Sequence, residues 1–192
     1  MSLVIAFSGR EAVIAGDRRS IAFAGDCRSL EEELYSGRIH DDEELLRRAG
    51  ELSATIYISD GREKVWRDGD VLVGEVTEVS ASSSKRRRVY VTSGAYLIVD
   101  VIDGNARISG RGGASLIVLG NRHTRDAAGR ALQGLGRITA DAIARVMKEV
   151  SAGTATMSRE HTLLRVTASH KDPASVLMQT FSRDCEKMGW RL

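Results

Sequence analysis

Apolar residues near the start of the chain fall into two runs, LVIAF from Leu3 and AVIAGD from Ala12, with a polar turn containing Gly9 between them. That alternation of runs and turn predicts a β-hairpin whose first strand starts at the second residue. Ser29 and Glu32 have the spacing of a capping box, so a short helix is expected there, stopped by Gly37. Asp41 or Asp42 then caps a second helix that carries Leu45, Leu46, Ala49 and Leu52 at helical spacing. Asp60-Gly61 and Asp68-Gly69 divide the following stretch into short strands at 56–58, 65–66 and 71–79. Residues 26–84 are therefore expected to form an insertion of two short helices and a small β-hairpin.

Past the polar SASSS, the runs VYV, AYLIVDVI, ARIS and SLIVLG predict successive strands, broken at Ser93-Gly94, Asp103-Gly104 and the glycines between 110 and 113. Helical spacing follows over 124–132 and 139–150, in the second case through Ala142, Ile143, Val146 and Val150. A strand, HTLLRVTA, comes next, and Asp172-Pro173 offers an N-cap and a first-turn proline to a closing helix that runs to about Met188. Strands, two helices, a strand and a helix make an α+β layered sandwich, one domain over 1–192.

Composition narrows the function classes. At 192 residues and 42% apolar content the chain can bury one sizeable core. Its 28 Lys and Arg against 26 Asp and Glu leave a formal charge of only +2, which argues against a polyanion binder. The cations of KRRR, Lys85 to Arg88, attract phosphate, but aromatics make up 5% of the chain and provide few surfaces for base stacking. No nucleic-acid partner is expected. The longest apolar runs fall far short of the roughly 20 residues that span a bilayer, so no membrane insertion is expected and the protein is placed in the cytoplasm. Cys27 and Cys185 stand alone and His40, His123, His161 and His170 show no HExxH spacing, so neither a metal nor another cofactor is expected. GRGGAS at 110–115 lacks the Walker lysine and precedes a strand, which makes it a turn.

The candidate chemistry lies at the N-terminus. A free α-amine titrates near pH 8 and can accept a hydroxyl proton without a histidine. Ser2 is placed for this once Met1 is removed. The strand ending VIAGD brings Asp17 back beside the start of the first strand, and KRRRVY opens a later core strand. A lysine ammonium beside Ser2 stabilises a developing alkoxide, and Asp17 is expected to fix that lysine by a charge-assisted hydrogen bond.

The early hairpin, VIAGD, the K-x-R-R-apolar-Y strand and SLIVLGNRHTRDAAGRAL together resemble the β-type subunits of proteasomes and their simpler bacterial relative. With the insertion GDCRSLEEELYSGRIHDDEELLRRA and the segment SSSKRRRVYVTSGAY, the chain is similar to an archaeal family, found in methanogens, that contains connectase, a proteasome-related protein ligase. The resemblance implies the four-layer αββα sandwich of N-terminal nucleophile (Ntn) hydrolases. It implies Ser2 as nucleophile, Asp17 as acidic partner and Lys85 as basic partner. Arg18, Arg86, Arg87, Asn121 and Ser151 are candidate supporting or substrate-binding residues, Asn121 standing where proteasome subunits have a serine. It further implies cleavage at a Lys-Asp-Pro-Gly-Ala type sequence, followed by joining of the acylated half to a segment that begins with proline. The implied partner is a protein or peptide, namely a methyltransferase subunit of methanogens. A proteasome-like peptidase and a catalytically inactive β-type binding or assembly module remain open beside it, as does the oligomeric state.

Overall fold

The computed structural model describes residues 3–79 and 84–192. Strands β1 (Leu3–Ser8) and β2 (Ala12–Asp17) form the expected hairpin, with Val4 opposite Gly16 and Ser8 opposite Ala12. Late strands flank it on both sides: β10 (Ser115–Gly120) lies antiparallel to β1, and β11 (His161–Val166) lies antiparallel to β2. The hairpin strands are thus central in a sheet of order β10-β1-β2-β11, which explains why both are apolar on both faces.

Alternate residues of this sheet serve two cores. Leu3, Ile5, Val13 and Ala15 face helices α3 (Arg122–Gln133) and α4 (Ala140–Ala152), meeting Ala128, Ile143, Val146 and Met147. Val4, Ala6, Ala12 and Ile14 face the second sheet, where they pack on Val65, Leu72, Val89 and Val91. That sheet has the order β5-β6-β7-β8-β9, from β5 (Val65–Asp68), β6 (Val71–Val79), β7 (Ser84–Thr92), β8 (Ala95–Ile102) and β9 (Asn105–Gly112). Its outer face is covered by α5 (Pro173–Met188) through Leu177, Phe181 and Cys185. Helices, sheet, sheet and helix make the four αββα layers that the resemblance implied. The two sheets approach closely at Gly74, where a Cβ would stand 2.7 Å from Ile14 Cδ1 and 2.8 Å from Val4 Cγ1.

The inserted part is smaller than the sequence suggested. The strands β5 and β6, assigned to the insertion from their turn signals, are integral to the five-stranded sheet, because β6 pairs along its length with β7. What stands outside the sandwich is a two-stranded sheet of β3 (Ser20–Ala24) and β4 (Thr55–Ser59) with helices α1 (Arg28–Tyr35) and α2 (Asp42–Glu51). They share a core of Leu30, Leu34, Ile39, Leu45 and Ala49. Asp41 caps α2 by accepting from Glu44 N at 2.8 Å. Ser29 is not the cap of α1: the helix begins two residues earlier, after Cys27, whose thiol is turned to Ala24 O instead. No helix among the described residues is long and apolar enough to cross a membrane.

Candidate active site

Asp17 ends β2 with its side chain fully buried. A carboxylate in such a place needs donors on both oxygens. Oδ1 accepts from Leu3 N at 2.8 Å, and Oδ2 accepts from Arg19 N at 2.9 Å and from Lys64 Nζ at 2.6 Å. Lys64 is itself buried, and its ammonium also donates to Arg19 O at 2.5 Å. Burial pulls the Lys64 pKa below its ordinary value, and the Asp17 charge opposes that shift without cancelling it. The result is a desolvated carboxylate and ammonium locked to the first amide of β1, one peptide bond from residue 2.

Lys64 reaches this place because it immediately precedes β5, which presses on the end of β2. Gly16 makes that approach possible: a Cβ there would stand 2.8 Å from Val65 Cγ1 and 3.5 Å from Lys64 Cβ. The lysine that Asp17 fixes is therefore Lys64 and not the expected Lys85. Register gives the reason. Gly74 of β6, where the two sheets approach closely, pairs with Val89, so Lys85 lies four residues further along β7, about 13 Å at strand rise. Lys85 is exposed there, opposite Ile102 of β8.

The other candidates divide. Ser2 lies outside the described residues. Arg18 adjoins Asp17; its backbone N–H donates to Ser158 Oγ at 2.8 Å, and its guanidinium lies 3.3 Å from Glu63 and 3.6 Å from Glu160. Arg86 reaches Glu75 at 3.6 Å, and Arg87 is held by both oxygens of Asp100 at 2.6 and 2.9 Å, so both are engaged on their own sheet. Asn121 follows Gly120, which pairs with Leu3, and so stands beside the start of β1. Its Oδ1 caps α3 by accepting from Thr124 N at 2.8 Å. Ser151 is buried at the end of α4 and donates to Lys148 O at 3.0 Å, a bond within its own helix, while its carbonyl accepts from Arg159 at 2.6 Å.

Three residues near Asp17 were not foreseen. Lys64 stands just before β5 and Lys85 at the opening of β7, so the sequence held two lysines at strand starts and the packing of β5 on β2 decides between them. Arg19 follows the acid directly, and its side chain is tied to Asp42, to Asp60 at 2.8 and 2.9 Å, and to Ala155 O at 2.9 Å. Ser158, buried, relays between Arg18 N and Glu160 O, to which it donates at 2.6 Å. Among the described residues no three His, Cys, Asp or Glu side chains gather where they could hold a metal.

An αββα sandwich whose first strand is anchored by a buried Asp-Lys pair is a β-type, proteasome-like Ntn architecture. The chain belongs to the connectase family: the family described as "Connectase MJ0548-like, N-terminal domain" matches residues 1–186. No curated protein matches the sequence. Among solved structures, the chain is similar to eukaryotic HslV from Trypanosoma brucei, with 11% identity, a TM-score of 0.48, and coverage of 85% of this chain and 98% of that one. It is likewise similar to Thiobacillus denitrificans BPH in complex with epoxomicin, with 11% identity, a TM-score of 0.48, and coverage of 88% and 100%.

Proposed function

We propose that the protein is a peptide-bond-processing Ntn enzyme, a connectase-like transpeptidase that acylates the hydroxyl of Ser2 after Met1 is removed. The observation that carries this reading is the buried Asp17-Lys64 pair bonded to Leu3 N, because that amide belongs to the residue next to the nucleophile. Lys64 takes the part of basic partner that the sequence resemblance gave to Lys85. Ser2 Oγ attacks the scissile carbonyl carbon and its proton passes to the α-amine. The C–N bond then breaks, the leaving amine takes that proton, and an ester joins the substrate's N-terminal half to Ser2. Attack on the ester by the amine of a proline-initiated segment makes a new peptide bond and frees the hydroxyl. The charge of Lys64 favours the alkoxide character that develops at Oγ, and Asp17 fixes the ammonium.

Family membership supports a substrate with a Lys-Asp-Pro-Gly-Ala type sequence. The intact mass, measured before and after mixing with such a peptide, tests the whole reading. Loss of one methionine, an adduct equal to the peptide's N-terminal half, and removal of the adduct by a proline-initiated peptide are expected. An adduct that water alone removes would make the protein a peptidase. A free Ser2 that forms no adduct, with Ser2→Ala protein indistinguishable from wild type, would leave it a non-catalytic β-type module.

A further inference from the structure

Beside the start of β1, the gap between the two sheets opens as a cleft of about 250 Å³, lined by Val76, Lys85, Gly120, Asn121, Arg122 and Arg125 among others. Its charge is one-sided. Four cations line it and, among the described residues, no carboxylate does. Arg87 is neutralised by Asp100 and Arg122 shares Asp126 at 3.8 Å, whereas Lys85 feels Asp100 only at a distance and Arg125 forms no ion pair among the described residues.

Helix α3 begins at this cleft, and its first turn holds no acidic residue but carries Arg122 and Arg125. A helix N-terminus concentrates partial positive charge and is stabilised by Asp or Glu, so two arginines there cost helix stability and raise the local positive potential. Asn121 supplies an independent sign. It is 5% exposed, its Oδ1 is committed to Thr124 N, and its Nδ2 is buried without an acceptor. The cap bond fixes which end of the amide is which, so the unpaired group is a donor and not a misassigned oxygen. An unpaired buried donor is costly unless a ligand completes it.

From this geometry we infer that the cleft is an anion subsite that receives a carboxylate of the reacting peptide, with Asn121 Nδ2 and the α3 N-terminus as donors and Lys85, Arg122 and Arg125 as the attracting charges. The inference rests on the reading that a peptide reacts at the N-terminus, because Gly120 pairs with Leu3 and so sets Asn121 at the start of β1. A peptide acylated on Ser2 holds a nearby carboxylate at high effective concentration, so even a modest anion site then selects among substrates.

The test uses binding to the unreactive Ser2→Ala protein, so failure of the catalytic reading leaves the readout intact. N-acetyl-aspartyl-amide, its asparagine analogue and inorganic phosphate are titrated while the Asn121 side-chain amide and the first-turn amides of α3 are followed by NMR. Asn121→Asp is the decisive variant, since aspartate caps a helix as well as asparagine does but lacks the donor and adds a negative charge. The expected result is that the aspartyl probe shifts these signals in Ser2→Ala protein, the asparagine analogue does not, and Asn121→Asp weakens the aspartyl probe by about tenfold or more. Lys85→Gln and Arg125→Gln are expected to weaken it by smaller factors, more at low salt than at high. Equal binding of the aspartyl and asparagine probes overturns the proposal, as does binding of phosphate alone. If Asn121→Asp slows turnover of acidic and neutral peptides equally while leaving probe binding intact, Asn121 serves the nucleophile and the subsite is dismissed.

Discussion

A single buried charge pair organises the chemistry at the smallest scale. Asp17 and Lys64 are each desolvated, so each depends on the other: removing one partner strands a buried charge and is expected to cost about 3–5 kcal/mol. Asp17→Asn and Lys64→Met should therefore each destabilise the protein by that amount in denaturant titrations and lower the rate of acyl-enzyme formation by about 100-fold or more, the scale of lost electrostatic stabilisation of an alkoxide. The double variant should regain stability but not rate. Strictly additive stability losses would show that the two side chains are not coupled. The pair also sets a pH dependence. The folded Lys64 pKa lies below its ordinary 10.5, so between the two values the folded state binds fewer protons than the unfolded one. Stability should then rise as pH climbs through that window towards 10.5, while acylation falls as the ammonium is lost. Both trends should vanish in Lys64→Met. Asp17 was legible in the sequence because VIAGD returns the hairpin to its start, a local consequence of strand and turn. Lys64 was not, because its position depends on contact between strands far apart in sequence.

At the scale of elements, the segments whose signals are local were legible and those fixed by pairing partners were not. Helices α3, α4 and α5 begin where Asn121, Thr139 and Asp172 accept from the N–H three residues on, and their apolar stripes fall as the spacing predicts. Strands β5 and β6 carry the same short-run signals as an isolated hairpin, and nothing local in 65–79 states that β6 will pair with β7 inside the main sheet. β3 has a mixed burial pattern, and its sequence carries no alternation that predicts a strand. Gly16 is the element-level device that lets β5 deliver Lys64 to β2. Gly16→Ala should force Val65 aside and cost about 1–3 kcal/mol as an overpacked core does. The activity loss should exceed what that stability loss explains, because Lys64 moves with Val65. Adding Val65→Ala gives the new methyl room and should restore both rate and part of the stability, measured by acylation kinetics and thermal unfolding. Persistence of the rate loss in the double variant would mean that Gly16 matters for a reason other than space.

Across the whole molecule, Arg19 couples the inserted unit to the site. Its guanidinium is buried, yet its carboxylate partners come from the start of α2 and from the loop after β4, and its backbone contacts Asp17 through N and Lys64 through O. One residue thus joins the α1-α2-β3-β4 unit to the charge pair. A lysine ammonium gathers its three donors on one nitrogen and lacks the planar fork that lets Arg19 span Asp42, Asp60 and Ala155 O together. Arg19→Lys is accordingly expected to lose about 1–3 kcal/mol through its charge-assisted bonds. The loss should be local. Amide exchange over residues 20–59 should quicken by about tenfold or more, while the centre of β1, β2 and α4 keeps its protection, because those elements are held by their own apolar clusters. Acid should act on the same joint. The Arg19 hydrogen bond holds the Asp60 pKa below its ordinary 3.8, so between the folded value and 3.8 the unfolded state binds more protons, and stability falls as pH drops through that window. The inserted unit should then open in acid before the sandwich does, and Asp60→Asn should remove that step at the cost of part of the joint. Faster exchange spread evenly over every element of Arg19→Lys protein would instead mean that unit and sandwich unfold as one body. In that case Arg19 supports the fold as a whole and does not tie a separable unit to the nucleophile's strand.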